Sequence, residues 1–354
     1  MALTHRSQLV LVGVVAQLWY AAGLFAGEPP APAGETAVAQ PKRALPDPVF
    51  GVNLAGAEFG GTPGVCGKDY TYPGAAQFDY LKNKGVTLVR LPFKWERVQR
   101  ELNGPLHAAE LAQLDSCLGL ARDRGIRVIL DLHNYDRYKG KLVGTPELPN
   151  AALADVWRKL AQHYKEETAL FAYGLMNEPH DTRGLWPAAA QAAVDAIREA
   201  DKTNLILVSG DGWSGAWSWA KANADLSIAD PAGNYAFEAH QYFDKDGTGT
   251  YKQGYDKDGA HPEIGVERVK PFIEWLKARN ARGFIGEFAV PDSDPRWLVV
   301  LDKFLAALKE NGIGGTYWAA GPWWGKYPLS VEPRDGQDRP QMSILLKYAV
   351  VAPK

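Results

Sequence analysis

Residues 108–134 read AAELAQLDSCLGLARDRGIRVILDLHN, and they hold one complete unit of the architecture. Ala108–Arg124 carries a helical pattern, Gly125 follows it, and IRVILDLH (126–133) runs apolar almost without interruption to the polar pair His133 and Asn134. A glycine just past a helix supplies the left-handed residue on which helices commonly end. A strand that is apolar at consecutive positions, not at alternate ones, is buried on both faces, as a parallel strand covered by helices is.

Moving outward, the same unit recurs. Further strand-like runs are VFGVNL (49–54), VTLVRLP (86–92), LFAYGLMN (170–177), NLILVSG (204–210), YAFEAHQY (235–242), GFIGEF (283–288) and GTYWAA (315–320), which makes eight with residues 126–133. Helical patterns lie at Ala75–Lys84, Ala151–Lys165, Ala188–Asp201, Gly265–Arg279 and Pro295–Asn311, with Gly85 and Gly312 closing two of them. Eight such units predict an α/β chain folded as a closed (β/α)8 TIM barrel, a single catalytic domain over residues 48–354. The competing open, doubly wound sheet would place a GxGxxG turn after its first strand. GVNLAGAEFGG (51–61) lacks the following helix that a dinucleotide needs, so no cofactor is expected.

The 354 residues carry a net charge of −2 with both signs intermixed, which implies neither nucleic acid nor an anionic membrane as partner. Arg6, an uncharged stretch from Leu9 to Phe25 and small residues at Ala26 and Gly27 read as a signal peptide over residues 1–27. Residues 28–47 are rich in Pro and Ala and read as a disordered spacer. A secreted, monomeric protein without stable membrane association after cleavage is the expectation; an uncleaved anchor is the competing one. Cys66 and Cys117 are expected to stay unpaired, and the scattered histidines give no zinc-ligand spacing. Most of the twelve tryptophans are expected in the core.

In a barrel the loops after the strand C-termini share one face, and that face carries the chemistry. Arg90 is read at the end of strand two, His133 and Asn134 at strand three, Asn177 and Glu178 at strand four, His240 and Tyr242 at strand six, Glu287 at strand seven and Trp318 at strand eight. Two carboxylates across a barrel mouth suit a glycosidic bond, whose oxygen must be protonated while a carboxylate attacks or stabilises the anomeric carbon. Arg90 and Tyr242 directed at Glu287 would hold it ionised, and Glu178 would then keep its proton as the acid. Asn177 would reach a sugar hydroxyl, and Trp318 would stack the sugar. Trp213, in GDGWSGAWSW (210–219), would stack a sugar on the leaving-group side.

VRLPFKW (89–95), DLHNY (131–135), GLMNEPHD (174–181), HQYFD (240–244), IGEF (285–288) and YWAAG (317–321) together resemble the strand-end motifs of the family 5 glycoside hydrolases. The likeness extends from Gly51 to the C-terminus. It implies a (β/α)8 fold, a retaining mechanism, Glu178 as acid/base and Glu287 as nucleophile, with Arg90, His133, Asn177, His240, Tyr242 and Trp318 filling the remaining family positions. AGAEFG (55–60), HNYDRYKG (133–140) and YFDKDGTGT (242–250) are most similar to the endo-β-1,4-glucanases of that family. The implied partner is a β-linked polysaccharide or oligosaccharide. An endo-β-1,4-mannanase or a broad β-glucanase with the same mechanism is the alternative. Many secreted members of the family carry several disulfides and a cellulose-binding module; two cysteines and no added module favour soluble or amorphous β-glucan here. A non-catalytic sugar-binding barrel would be expected to have lost Glu178 or Glu287. A metal-dependent hydrolase would need more strand-end ligands than His133 and His240. Asp244, Asp246 and Asp258 are read as solvated turns, without the terminal Glu of a calcium loop; Trp323 and Trp324 lie in a Gly/Pro-framed loop, where extending the cleft and simple loop packing are both open readings.

Overall fold

All eight apolar runs are strands, buried almost throughout: β1 (Phe50–Leu54), β2 (Leu88–Phe93), β3 (Arg127–Leu132), β4 (Leu170–Gly174), β5 (Leu205–Ser209), β6 (Tyr235–Gln241), β7 (Gly283–Phe288) and β8 (Gly314–Ala320). The computed structural model describes residues 48–348, so the expected leader and spacer lie outside the described residues. Each strand pairs in parallel with the next, and β8 pairs with β1, which closes the barrel. Parallel neighbours need a crossover between them. Helices supply it at Ala75–Asn83, Ala108–Arg122, Asn150–Tyr164, Trp186–Ala200, Ile264–Ala278 and Arg296–Glu310, within a few residues of the sequence reading. Gly85, Gly125 and Gly312 all have positive φ, and the residue after each donates its N–H back into the helix just ended, as a Schellman end requires.

The β5–β6 connection departs from the rule. Its Gly- and Ser-rich sequence has no helical period, and it forms only a four-residue helix, Trp219–Ala222, leaving a long loop at the barrel mouth. A small hairpin, Arg137–Tyr138 against Lys141–Leu142, follows β3.

Side chains alternate across a strand with period two, so the barrel interior is built in layers. The lower layer is apolar: Val49, Leu88, Ile129, Ala172, Leu205, Leu207, Ala236 and Phe284 form one buried cluster. Two residues further along their strands, Arg90 stands above Leu88, Asp131 above Ile129 and Glu238 above Ala236, all fully buried. The floor of the barrel is therefore hydrocarbon, and the layer beneath the mouth is charged. Gly286 makes room for that layer, since a Cβ on it would lie 1.9 Å from Glu238 Oε1.

Outside the barrel, the helices pack on the strands through a larger apolar cluster. Trp95, Trp157, Trp186, Trp219, Trp275 and Trp297 are buried there, whereas Trp213, Trp217 and Trp323 are exposed. Trp157 donates to the Leu175 carbonyl at 3.0 Å and Trp186 to the Ser209 carbonyl at 2.6 Å, tying helices to the strand ends behind the mouth. Truncating such a tryptophan to alanine costs about 3–5 kcal/mol. Both cysteines are free, Cys66 exposed and Cys117 buried.

Candidate active site

The charged layer centres on Arg90. Its Nη1 donates to Asn53 Oδ1 at 3.0 Å and to Glu287 Oε1 at 3.1 Å, and its Nη2 to Asn177 Oδ1 at 2.9 Å. The same guanidinium is ion-paired with Asp131 at 3.0 Å and Glu238 at 2.9 Å. Burial alone would weaken its hold on a proton, but Asp131, Glu238 and Glu287 outweigh that and keep it charged. Arg90 is thus not at a strand end, as the sequence suggested, but at the third position of β2 with no exposed surface. It supports Glu287 and Asn177 from beneath and does not reach a ligand. Removing one partner of such a buried set costs about 3–5 kcal/mol, because the others are left uncompensated.

Glu287 lies one residue from the end of β7, and an irregularity between Ala239 and His240 in the β6–β7 pairing sets His240 opposite it. Local breaks of this kind re-aim side chains at active sites. Glu287 Oε2 accepts from the Tyr242 hydroxyl at 2.8 Å and lies 3.6 Å from His240 Nδ1. Burial pushes Glu287 up to about 7; His240 opposes the push, Glu178 adds to it, and Arg90 and the Tyr242 hydroxyl oppose it.

Glu178 follows β4 at the lip, with φ of +43°. A non-glycine residue in the left-handed region carries about 1–3 kcal/mol of strain, and such strain gathers at functional sites. Its Oε1 meets His240 Nδ1 at 2.9 Å. Its side chain keeps 17% of its surface exposed, against 6% for Glu287. His240 thus bridges the two carboxylates. Burial works against its charge, yet Glu287, Glu178 and Glu238 together raise it to about 10.

One donor atom each from Glu178, His240 and Glu287 lie within 4.8 Å of one another, the one such cluster among the described residues. His240 Nδ1 stands between the two carboxylates, 2.9 Å from Glu178 Oε1 and 3.6 Å from Glu287 Oε2.

The other sequence-predicted residues divide. Asn177 gives its oxygen to Arg90, and its buried Nδ2 has no partner within the described residues, so it is a donor in reserve. His133 Nδ1 meets Asp131 Oδ2 at 2.8 Å, and its ring stacks on Trp318 with centroids 5.6 Å apart. Burial lowers the His133 pKa well below its ordinary value, so the ring is neutral. Trp318 is partly buried at the mouth, edge-on to Trp324. Trp324 itself is taken up by packing, stacked on Tyr327 and bonded to the Ala320 carbonyl, while Trp323 is exposed. Trp213 is half-exposed and lies flat on His180 at 3.6 Å.

Two further expectations need correction. The Asn134 side chain accepts from the Trp95 N–H at 2.7 Å and donates to Glu96 at 2.7 Å and to the Arg137 carbonyl at 3.1 Å. Those bonds brace the loops after β2 and β3 and leave the amide committed to the protein, not to a sugar. Asp244 is not a solvated turn residue but a buried hub, accepting from the backbone N–H groups of Gly249, Thr250 and Tyr251; Asp258 is buried as well.

A sequence model of the family described as Cellulase (glycosyl hydrolase family 5) matches residues 48–323. The chain belongs to glycosyl hydrolase family 5. Among relatives of this family 5 chain is the probable endo-beta-1,4-glucanase B of Aspergillus oryzae, 37% identical over 301 residues, or 82% of this chain and 87% of that protein. Endoglucanase 3 of Humicola insolens is 34% identical, over 85% of this chain and 77% of its own. The solved endoglucanase Cel5A of Pseudomonas stutzeri, in complex with cellobiose, superposes with a TM-score of 0.82 at 47% identity, covering 85% of this chain and 92% of that one. XacCel5A in complex with cellopentaose gives 0.80 at 44%, covering 85% and 99%.

For this family 5 glycoside hydrolase, sequence reasoning missed Asn53, Asp131 and Glu238. Their signal was present: each is a polar residue at an inward position of an otherwise apolar strand. Asn53 spends its amide on the Gly286 carbonyl at 2.9 Å and its oxygen on Arg90, linking β1 to β7 directly beside Glu287.

Proposed function

We propose that this family 5 hydrolase is a secreted, retaining endo-β-1,4-glucanase, with Glu287 as nucleophile and Glu178 as acid and then base. The carrying observation is the proximity of the two carboxylates, which offer oxygens within 4.8 Å of each other and share His240. Retaining pairs stand ~5–5.5 Å apart, whereas inverting pairs need ~6.5–9.5 Å to admit a water.

The unequal surroundings support unequal roles. Glu287 has the Arg90 guanidinium and the Tyr242 hydroxyl on its oxygens, both of which favour the ionised form. Glu178 has one hydrogen-bonding side chain among the described residues, His240, and more exposed surface, as a group that must reach a glycosidic oxygen needs. In the first step a Glu287 oxygen bonds to the anomeric carbon, the bond from that carbon to the leaving sugar's oxygen breaks, and the Glu178 proton passes to that oxygen. The Glu287 ester carries no charge, so no neighbouring carboxylate opposes the ionised form of Glu178, and Glu178, having given up its proton in the first step, takes one from water as the water cleaves the ester. The Asn177 Nδ2 donor serves the hydroxyl beside the reacting carbon, and Trp318 carries the sugar's apolar face.

The endoglucanase names of the relatives, and the cellobiose and cellopentaose bound in neighbouring structures, support a β-1,4-glucan as substrate. Among the described residues no helix is long and apolar enough to cross a membrane. Product analysis on carboxymethylcellulose, barley glucan and glucomannan side by side tests the substrate. Rapid viscosity loss and short cello-oligosaccharides from the two glucans are expected. A preference for mannosyl linkages would overturn the reading.

A further inference from the structure

Glu238 takes no part in either chemical step, yet it is a fully buried carboxylate directly behind the working residues. It precedes His240 by two positions on β6, so both side chains stand on the same face of the strand. Its Oε1 pairs with Arg90 Nε at 2.9 Å and lies 3.8 Å from His240 Nε2. That nitrogen is buried without a hydrogen bond among the described residues, and 3.8 Å is too long for one, so what Glu238 offers it is charge. Burial favours the neutral acid, but Arg90 and His240 outweigh it and hold the Glu238 pKa below its ordinary value. A Cβ on Gly286 would lie 1.9 Å from Glu238 Oε1 and 2.9 Å from His240 Nε2, so the glycine keeps the place of this pair clear.

The two nitrogens of His240 therefore face different kinds of carboxylate. Nδ1 meets Glu178 at 2.9 Å and Glu287 at 3.6 Å, whose charges change during the reaction, whereas Nε2 meets one whose charge does not. Before the first step Glu287 is ionised and Glu178 carries a proton; in the ester Glu287 is neutral and Glu178 is ionised. Negative charge passes across Nδ1 while the charge behind Nε2 stays fixed. The other charged or titratable groups around the ring are Arg90 from β2, Asp131 and the neutral His133 from β3, and the Tyr242 hydroxyl bonded to Glu287. The loop after β5 brings backbone groups of Ser214 and Ala216 to the His240 backbone.

We propose that Glu238 is a positioning residue that keeps the His240 imidazole charged through both halves of the reaction, so that Nδ1 still donates to Glu178 after Glu287 is esterified. Its effect is greatest in the ester, where Glu287 no longer attracts the imidazolium. There Glu178 has to be ionised to take a proton from water, and a cation 2.9 Å away favours that form. Without Glu238 the ring gives up its proton more readily, Glu178 binds one instead, and the ester is left without its base. This rests on the roles proposed above for Glu178 and Glu287.

Glu238→Gln keeps the shape of the side chain and removes its charge. On a dinitrophenyl β-cellobioside, whose leaving group departs readily and makes ester breakdown the slow step, its kcat should fall about tenfold and KM should fall with it, leaving kcat/KM within about threefold of the parent. Azide attacks the ester without needing a base and is not repelled by a protonated Glu178, so it should restore most of the lost kcat and yield a cellobiosyl azide. Glu238→Asp, which keeps the charge, should stay close to the parent. Equal losses in kcat and kcat/KM with no response to azide would mark a merely structural role and overturn the proposal. Should Glu238→Gln not fold, the parent decides. With a 2-deoxy-2-fluoro-cellobiosyl group trapped on it, the ring-nitrogen resonances of His240 should show a protonated imidazole at about pH 7, above the ordinary range of histidine, and a neutral ring would overturn the proposal. A parent that forms no cellobiosyl ester would instead sink the roles given to Glu178 and Glu287.

Discussion

Tyr242→Phe removes a single hydroxyl and tests how Glu287 keeps its charge. The hydroxyl donates to Glu287 Oε2 at 2.8 Å in a buried setting. A hydrogen bond to a charged group contributes about 1.5–3 kcal/mol, and 1.36 kcal/mol corresponds to one pKa unit. Because the bond favours the ionised carboxylate, its loss should raise the Glu287 pKa by roughly one to two units from its starting point of about 7. A nucleophile must be ionised, so activity appears as pH climbs through that value. The acid limb of kcat/KM against pH, which reports the free enzyme, should therefore move upward by roughly one to two units. On an aryl β-cellobioside at pH near 6 the variant should be slower by about 10- to 100-fold, and the gap should narrow as pH rises. A limb that stays put, or moves to lower pH, would refute the idea that Tyr242 holds the charge on Glu287.

Two further outcomes follow from the same geometry. Glu178→Ala should lose far more activity on cellulosic substrates, whose leaving groups are poor, than on aryl glycosides with activated ones; equal losses on both would remove Glu178 as the acid. Glu58, beside the mouth, accepts from the Gly56 N–H at 2.7 Å, and burial pushes its carboxyl from 4.5 up to about 8. A carboxyl raised by folding gives its full stability below the unfolded value of 4.5, and that stability is lost as pH climbs toward 8. Glu58→Gln keeps the acceptor and removes the titration, so its Tm relative to the parent should improve from pH 5 to pH 8, measured by thermal melting. A difference independent of pH would contradict this.

The fold was legible because each strand is apolar at consecutive positions and several helices end on a glycine, so local chemistry and global topology agree. IRVILDLH (126–133) shows this well: its apolar run marks the strand, and its last residues mark the mouth. The same continuity hid the charged layer. Arg90, Asp131 and Glu238 each sit in such a run, and one chain position cannot say whether a charge lies at a rim or one layer below it. That depends on register with strands far away in sequence, such as Asn53 opposite Arg90. Asn134 was misplaced for a related reason, since its partners Trp95 and Glu96 come from the preceding loop. The contact of His240 with both glutamates depends on a local break in the β6–β7 register, for which the sequence holds no sign.

The central claim is that Glu287 bonds to the sugar while Glu178 moves the proton. Incubation with an activated 2-deoxy-2-fluoro-cellobioside, which slows breakdown of the glycosyl ester more than its formation, followed by proteolysis and mass spectrometry, tests it most directly. The account predicts one fluorocellobiosyl group per chain, carried on the peptide containing Glu287. A label on Glu178, or none while the compound is still turned over to an inverted product, would contradict it.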